Sequence, residues 1–399
     1  MRIFHSLGHV FGGSLLVAGT TIGVGMLALP VATGPAGFFP SFIVYILCWL
    51  FMLCTGFLII EVNLSTPNAP GFISMATQIL GPIGKIFSWI AYLFLFLTVM
   101  IAHVAGGGDI LLQIPNWPLS PMTSAILYTG ALVPIIYLGT QWVDRINMLL
   151  ISGVVLFYLG FVAVSATSIQ PNFLTYTNWS KAWIGIPILI AAFTYQIIIP
   201  TLMTYLNNDV KKTRLSLVIG ASIPLVVYLI WEILILGIIP FEGVHGLKEA
   251  AELGQSAVAP LKHYVQSEWI TTFSTWFSFF ALTTSFVPLA LSFFDFLADG
   301  LKWEKKGAKR LYLCLAVFGI PLLIAIYYPH IFLVALGYAG GVSCGFLFGL
   351  LPPVMAYVCR YVHHCPQEYR QLPGGKPFLI FLMIASLFIL SSQILQQIL

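Results

Sequence analysis

Apolar stretches long enough to cross a lipid bilayer recur along the whole chain, and this pattern limits the fold more than any other feature. A bilayer core is crossed by about 20 consecutive apolar residues in a helix. Of the 399 residues, 59% are hydrophobic and 8% are charged, against about 25% charged in a typical soluble domain. The sequence therefore predicts an all-α polytopic membrane protein.

Eleven stretches have the length and apolarity of a span. We expect the first to be a retained span rather than a removable signal peptide, because it is long and lacks a small-residue cleavage site. The predicted spans are residues 9–33, 37–62, 84–112, 122–140, 147–168, 184–206, 214–240, 269–298, 311–328, 330–359 and 377–397.

The distribution of basic residues predicts the orientation, because loops on the inner side of a membrane carry an excess of lysine and arginine. If the N-terminus lies inside, all 17 lysines and arginines except Lys181, Lys248 and Lys262 fall on the inner side. An odd number of spans then places the C-terminus outside. An amphipathic helix is predicted in the inner connection 67–84, and a helical stretch at 247–253 in the outer connection.

Two of the spans are interrupted by residues that do not suit a membrane helix. The segment Gly19–Gly25 holds three glycines and two threonines, and Ala192–Gln196 reads AFTYQ. Each is followed by a proline, Pro30 and Pro200. The alternatives are a tight helix-packing motif in the first segment and side-chain bonds to neighbouring helices in the second.

The interruptions occupy matching positions in two units of five spans. Five is an odd number, so the second unit runs inverted relative to the first. Broken helices at corresponding positions of inverted repeats are typical of secondary transporters with a site at the midplane. We predict one transporter domain, with a first repeat at 9–168, a second repeat at 184–359 and an extra helix at 377–397.

A free amino acid suits such breaks, since helix ends offer N–H groups to its carboxylate and carbonyls to its ammonium. We expect the backbone of span 1 to hold the carboxylate or its partner ion, and the span-6 backbone to meet the ammonium. Aromatic and amide side chains of span 6 would shape a ring pocket. The predicted substrate-binding residues are Thr20, Thr21, Val24, Gly25, Phe193, Thr194, Tyr195 and Gln196.

Ionisable side chains inside spans are candidates for ion coupling. Glu232 is the first candidate carboxylate, and His103 could relay protons or could be a hydrogen-bonded interfacial histidine. Span-1 carbonyls at Gly19 and Ile22, with hydroxyls of Thr284 and Ser285, could instead form an oxygen cage for sodium. The alternative for those hydroxyls is a bond to the carbonyl one turn back.

The segment SLLVAGTTIGVGMLALP resembles the first helix of the hydroxy/aromatic amino acid permeases, of the tyrosine- and tryptophan-specific type, within the amino acid–polyamine–organocation superfamily. The similarity continues through HVAGGGDILL, IPTLMTYLNNDVKKTR and TTSFVPLALSFFDFLADGLK. It implies a LeuT-like 5+5 inverted repeat with broken helices 1 and 6 and one extra C-terminal helix. It also implies symport of tyrosine or tryptophan across the bacterial inner membrane, usually with protons, with the N-terminus cytoplasmic and the C-terminus periplasmic.

The chain departs from that family pattern at two places. Relatives carry a Phe-Gly-Phe-His-like break in span 6, where this chain has Phe193-Thr194-Tyr195-Gln196. Relatives also often carry a lysine in span 5, where this chain has Val154. A sodium-coupled transporter of another neutral amino acid is therefore the alternative.

An intramembrane enzyme is the more distant alternative. The stretch Gly341–Gly345 matches G-x-S-x-G, but that elbow requires a preceding strand and here lies in an apolar span. The six cysteines have no C-x-x-C spacing and are expected to pack in helices. We expect a transporter without cofactor, nucleic acid or obligate protein partner, whose partners are an aromatic amino acid, a proton or sodium ion, and the bilayer.

Overall fold

The fold is all-helical in a computed structural model that describes residues 2–67, 69, 71–114, 119–138, 140–265 and 267–398. Within these ranges ten helices are long and apolar enough to cross a membrane, and one bent pair makes an eleventh span. The prediction of eleven spans is confirmed. Gly139 in predicted span 4, and Asn68 and Pro70 in the predicted inner connection, lie outside the described residues.

The spans are numbered in chain order, and broken spans have two halves. They are span 1 (Arg2–Thr21 and Val24–Thr33), span 2 (Phe38–Ser65), span 3 (within Phe72–Leu112), span 4 (Pro121–Leu138), span 5 (Thr140–Ser165), span 6 (Ile186–Ala192 and Ile199–Tyr205), span 7 (Val210–Ile238), span 8 (Glu268–Leu301), span 9 (Gly307–Cys314 and Ile320–Tyr327), span 10 (Phe332–Gly337 and Leu351–Tyr361) and span 11 (Gly375–Ile398). Short helices in the connections are Pro171–Leu174, Leu247–Glu252 and Leu261–Tyr264.

The long helix Phe72–Leu112 is kinked where the inner connection becomes span 3. Gly81 at the kink has φ 70° and ψ −157°, a left-handed conformation that glycine adopts without steric cost. Before it, Phe72, Met75 and Ile79 are buried on one face, which confirms the predicted amphipathic helix. The helix Leu247–Glu252 likewise confirms the helical stretch predicted after span 7.

Spans 9 and 10 contain wider turns with i→i+5 hydrogen bonds, at Leu315–Gly319 and Tyr338–Leu350. Such turns interrupt a helix without ending it. In span 10 a Cβ atom on Gly340 would overlap the carbonyl of Pro187. Glycine therefore lets span 10 lie directly against the first half of span 6.

The central helices pack in two groups. The first half of span 1 lies along span 7, and span 7 also packs on span 2. Span 8 lies along span 5 and against span 3. Asp209 immediately precedes span 7 and caps it, because its carboxylate accepts the N–H of Lys212 at 3.1 Å. This hydrogen bond lowers the pKa of Asp209.

A buried ion pair joins span 2 to span 10. Arg360 donates from Nε to Oε1 of Glu61 at 2.5 Å and from Nη2 to Oε2 at 2.7 Å. Both side chains are 3% exposed, and the backbone N–H of Gln371 adds a third bond to the same carboxylate at 3.0 Å. The pair therefore anchors the connection between spans 10 and 11 as well as the two helices.

The long connection between spans 7 and 8 is bonded to span 1. The backbone N–H of Ala257 donates to the carbonyl of Leu27 at 3.0 Å. Leu27 and Ala257 are both fully buried. The second half of span 1 is thus covered on this side by the connection rather than by another span.

Candidate functional site

Span 1 is broken within the predicted segment. Its first half ends at Thr21 and its second half begins at Val24, with a bend of 59° between the halves. The N–H of Ile22 closes the first half on the carbonyl of Ala18 at 2.9 Å. At the start of the second half the N–H of Met26 donates to the carbonyl of Gly23 at 3.1 Å, whereas the N–H groups of Val24 and Gly25 have no intrahelical acceptors.

Span 6 is broken between Ala192 and Gln196. The N–H of Thr194 still bonds to the carbonyl of Ala191 at 3.2 Å, but the N–H of Tyr195 donates to Oε1 of Gln196 at 2.9 Å. A side-chain amide therefore replaces a carbonyl of the helix as the acceptor. Both breaks that the sequence predicts are confirmed.

The two breaks touch each other. A Cβ atom on Gly25 would lie 3.0 Å from Cα and 2.9 Å from Cβ of Ala192. The fully buried Tyr228 of span 7 donates its hydroxyl to the carbonyls of Thr21, at 2.7 Å, and Ala192, at 3.0 Å. The first half of span 1 and the first half of span 6 therefore both end at the hydroxyl group of Tyr228.

A cavity of about 500 Å³ lies at the breaks, between spans 1, 3, 5, 6, 8 and 10. Pockets of this size are typical of small-molecule sites. Among the predicted substrate-binding residues, those lining it are Thr20, Thr21, Val24, Gly25 and Thr194. Among the predicted ion-coupling residues, those lining it are Gly19, His103, Thr284 and Ser285.

Three predicted ring-pocket residues lie away from this cavity, against span 2. Phe193 packs between Tyr45 and Tyr228, with ring centroids 6.3 and 5.4 Å apart. The hydroxyl of Tyr195 donates to the carbonyl of Met52 at 3.2 Å. Nε2 of Gln196 donates to the same carbonyl at 3.1 Å. These side chains fix the break of span 6 to span 2.

Ile22 and Glu232 are also outside the cavity lining. Ile22 lies in the break and packs against the buried core. Glu232 is fully buried in span 7, where Oε2 accepts the hydroxyl of Tyr45 at 2.9 Å and Oε1 bonds to the hydroxyl of Thr33. No ion pair involving Glu232 occurs in the described part of the chain.

His103 of span 3 lines the cavity and is hydrogen-bonded to span 8. Its Nδ1 lies 2.7 Å from the carbonyl of Val99 and its Nε2 lies 2.9 Å from Oγ of Ser285. A carbonyl only accepts, so the first contact assigns a proton to Nδ1. Ser285 in turn faces span 1, since a Cβ atom on Gly23 would lie 2.9 Å from its Cβ.

The neighbouring hydroxyl of Thr284 donates to Oδ1 of Asn147 in span 5 at 2.6 Å. Asn147 also lines the cavity. Across residues 2–398, apart from the undescribed positions, no group of three His, Cys, Asp or Glu side chains could hold a metal ion. The cage predicted for sodium would therefore consist of hydroxyl and backbone oxygens.

Residues 7–393 match the pattern that defines the tryptophan/tyrosine permease family. The chain belongs to this family. It is 26% identical to a tryptophan-specific transport protein of Haemophilus influenzae, covering 96% of this chain and 95% of that protein. It is 31% identical to tyrosine-specific transport system 1 of the same organism, covering 94% of each chain.

The fold of this permease is that of the LeuT-like transporters. A crystal structure of MhsT in complex with L-phenylalanine superposes with a TM-score of 0.65 at 15% identity, covering 96% of this chain and 97% of that one. The resemblance noted in the sequence is confirmed, as is the expectation of a transporter rather than an enzyme. The G-x-S-x-G stretch lies in the wide turn of span 10, not after a strand.

Sequence reasoning missed the apolar part of the permease cavity. The lining there comes from Phe96 and Val99 of span 3 and from Leu336, Cys344 and Phe348 of span 10. These residues belong to helices with no interruption of their apolar pattern. The glycines of span 10 were the available signal, because they mark its close approach to span 6.

Proposed function

We propose that this permease is a secondary active symporter that imports tyrosine, tryptophan or both across the bacterial inner membrane, with protons as the coupling ion. The observation that carries the proposal is the cavity at two broken helices. Its lining combines residues of the two breaks with aromatic and aliphatic side chains of spans 3 and 10. Its relatives are named as tryptophan- and tyrosine-specific transport proteins.

The zwitterionic part of the substrate binds at the breaks. Val24 and Gly25 begin a half-helix of ten residues, whose free N–H groups and positive dipole end suit a carboxylate. The last carbonyls of the first half of span 6, near Phe193 and Thr194, receive the ammonium. Both charged groups thereby gain partners that a continuous helix does not offer.

The aromatic ring occupies the apolar part of the cavity. Phe96, Leu336 and Phe348 are each at most 5% exposed and line the cavity. Aromatic pairs add about 0.5–1.5 kcal/mol to simple burial of apolar area. The ring pocket is thus formed by spans 3 and 10, whereas Phe193, Tyr195 and Gln196 of span 6 do not line the cavity.

The protein is inserted with its N-terminus in the cytoplasm and its C-terminus in the periplasm. The distribution of lysine and arginine supports this orientation. Residues 9–168 and 184–359 form the two inverted repeats, and 377–397 is the added helix. Transport proceeds by rocking of helices around the fixed site.

Counterflow and gradient-driven uptake in proteoliposomes test this function. We expect tyrosine and tryptophan to compete with labelled substrate, with phenylalanine as a third competitor. An imposed proton gradient should drive accumulation above the external concentration, whereas a sodium gradient should not. Uptake that only equilibrates would indicate a channel, and the absence of uptake would refute transport of these substrates.

Proton coupling is assigned to the two ionisable side chains buried near the breaks, His103 and Glu232. Glu232 has two hydroxyl partners and no cationic partner among the described side chains. A buried carboxylate without a cation is costly when ionised. If Glu232 takes up a proton and releases it again in each transport cycle, the carboxyl group is neutral in the state in which it is buried, and the cost of burying a charge is avoided.

Glu232→Gln should therefore separate exchange from accumulation. The amide keeps the size of the side chain but does not titrate. Its oxygen can still accept one of the two hydroxyl groups, and its NH2 group would donate to the oxygen of the other. We expect the rate of counterflow to be close to that of the unmodified protein. With an imposed proton gradient, the substrate concentration inside the proteoliposomes should rise only to the external concentration. The control is Asp295→Asn, which also replaces a carboxylate by an amide, but at a side chain that is 45% exposed in its pair with Lys305; it should still accumulate substrate. Accumulation by Glu232→Gln would contradict the assignment.

Sodium-coupled transport of another neutral amino acid is the second candidate. It is favoured by the position of Ser285 against Gly23 and by the adjacent hydroxyl of Thr284. Both hydroxyl oxygens retain lone pairs that could ligate a cation together with the carbonyls of Gly19 and Ile22. If this candidate is right, a sodium gradient alone should drive accumulation, and Ser285→Ala should abolish it.

A further inference from the structure

Tyr228 makes a contact that no feature of the sequence indicates. It belongs to the uninterrupted helix of span 7, and it does not line the cavity. Its hydroxyl nevertheless lies 2.7 Å from the carbonyl of Thr21 and 3.0 Å from the carbonyl of Ala192. Thr21 and Ala192 line the cavity, so Tyr228 contacts the transport site from the protein side without lining the cavity itself.

These two carbonyls are the ones that the breaks deprive of helical partners. Thr21 and Ala192 are the last residues of the first halves of spans 1 and 6. In continuous helices their carbonyls would accept the N–H groups of Gly25 and Gln196. Tyr228 supplies one hydroxyl proton for both carbonyls, and each carbonyl oxygen keeps a second lone pair.

The position of this hydroxyl is fixed by its surroundings. The ring of Tyr228 is fully buried and packs on Phe193 with centroids 5.4 Å apart. Phe193 packs on Tyr45, which is bonded to Glu232 one turn along span 7. Since these groups leave the phenol no room to swing, the two carbonyls are held at one point.

We propose that Tyr228 is a positioning residue for the substrate ammonium. It aligns the carbonyls of Thr21 and Ala192 from the protein side, so that one ammonium group entering from the cavity finds both together. The inference rests on the proposed function, because it requires an amino acid as substrate. It adds a residue of span 7 to a site otherwise built from spans 1, 3, 5, 6, 8 and 10.

The test is Tyr228→Phe, with Tyr158→Phe as the matched control. Tyr158 is half-buried and donates its hydroxyl to the carbonyl of Val227 at 2.9 Å, so both variants lose one tyrosine hydroxyl bonded to backbone carbonyl. The bonds that Tyr228 would align run from the charged ammonium to the two carbonyls. The loss of one hydrogen bond to a charged group corresponds to about a 10- to 100-fold loss of affinity. We expect Tyr228→Phe to raise KM for the amino acid by about this factor, and Tyr158→Phe to change KM by less than about twofold.

A substrate analogue without the amino group separates positioning from general packing. The competitors are indole-3-propionate and 3-(4-hydroxyphenyl)propionate, whose inhibition constants should be the same in the unmodified protein and in Tyr228→Phe. The ligand-induced shift in unfolding temperature of purified protein, taken against each variant's own ligand-free form, gives a second reading that does not depend on protein amount.

Three results would overturn the assignment: an unchanged KM in Tyr228→Phe, an equal loss for the amino acid and its des-amino analogue, or no folded Tyr228→Phe protein while Tyr158→Phe folds. The unmodified protein is measured first. If it neither binds nor transports tyrosine or tryptophan, the proposed function fails. If the unmodified protein binds and transports tyrosine or tryptophan, and Tyr228→Phe does so with the same KM, then only the role assigned to Tyr228 is refuted.

Discussion

Gly25→Ala is expected to abolish uptake while leaving membrane insertion intact. The added methyl group would lie 3.0 Å from Cα of Ala192, which is too close for two carbon atoms. Because Cα belongs to the backbone, the contact can be relieved only if the first half of span 6 or the second half of span 1 shifts as a whole. A displacement of about 1 Å at a site of this kind can reduce activity on the order of 100-fold. Labelled uptake, normalised to the amount of protein in the membrane, measures the effect.

The chain offers two matched controls for this substitution. Gly130 in span 4 has no atom within 4 Å of an added Cβ and lies outside the cavity lining, so Gly130→Ala should transport normally. Gly19 also has space for a Cβ but lines the cavity, so Gly19→Ala should reduce uptake less than Gly25→Ala does. Normal uptake by Gly25→Ala would mean that the two breaks need not touch.

Arg360→Met is expected to produce the largest loss of stability. It leaves the carboxylate of Glu61 buried with two of its three nitrogen donors removed, whereas the N–H of Gln371 remains. Removing one partner of a buried pair typically costs about 3–5 kcal/mol. The unfolding temperature and the monodisperse fraction of detergent-purified protein should both fall clearly.

An exposed pair and a double variant serve as controls. Lys305→Met breaks the pair with Asp295, in which both side chains are 45% exposed, and should cost at most about 1 kcal/mol. Glu61→Leu combined with Arg360→Met should recover much of the stability, because no unpaired charge remains buried. Equal stability of Arg360→Met and Lys305→Met would contradict this account of the pair.

The spans could be predicted well because the bilayer imposes a length and a polarity on each of them. Lipid leaves no alternative to internal hydrogen bonding, so eleven apolar stretches became eleven spans. Local charge patterns were similarly informative. Asp295 of span 8, for example, pairs at 2.6 Å with Lys305, which lies only ten positions further along the chain.

The breaks could be located from sequence, but the direction of the side chains beside them could not. Outside a regular helix the period of 3.6 residues no longer relates a position to a face. The polar and aromatic residues of span 6 marked the interruption correctly. Yet Tyr195 and Gln196 turn towards Met52 of span 2, while Thr194 faces the cavity.

Other site residues escaped prediction because nothing in their local sequence marks them as part of a site. Phe348, Asn147 and Tyr228 look like packing residues in the sequence, and only the tertiary arrangement brings them to the breaks. Their roles depend on contacts between residues far apart in the chain, such as the 207 positions that separate Tyr228 from Thr21. No local pattern records such a contact.

The hydrogen bond from Ala257 to Leu27 has a consequence for the proposed transport cycle. It joins the connection between spans 7 and 8 to the second half of span 1 by a main-chain bond of 3.0 Å. If that half tilts during transport, the connection must either move with it or lose the bond. We therefore expect the cleavage of this connection by added protease to differ between the inward-facing and the outward-facing protein.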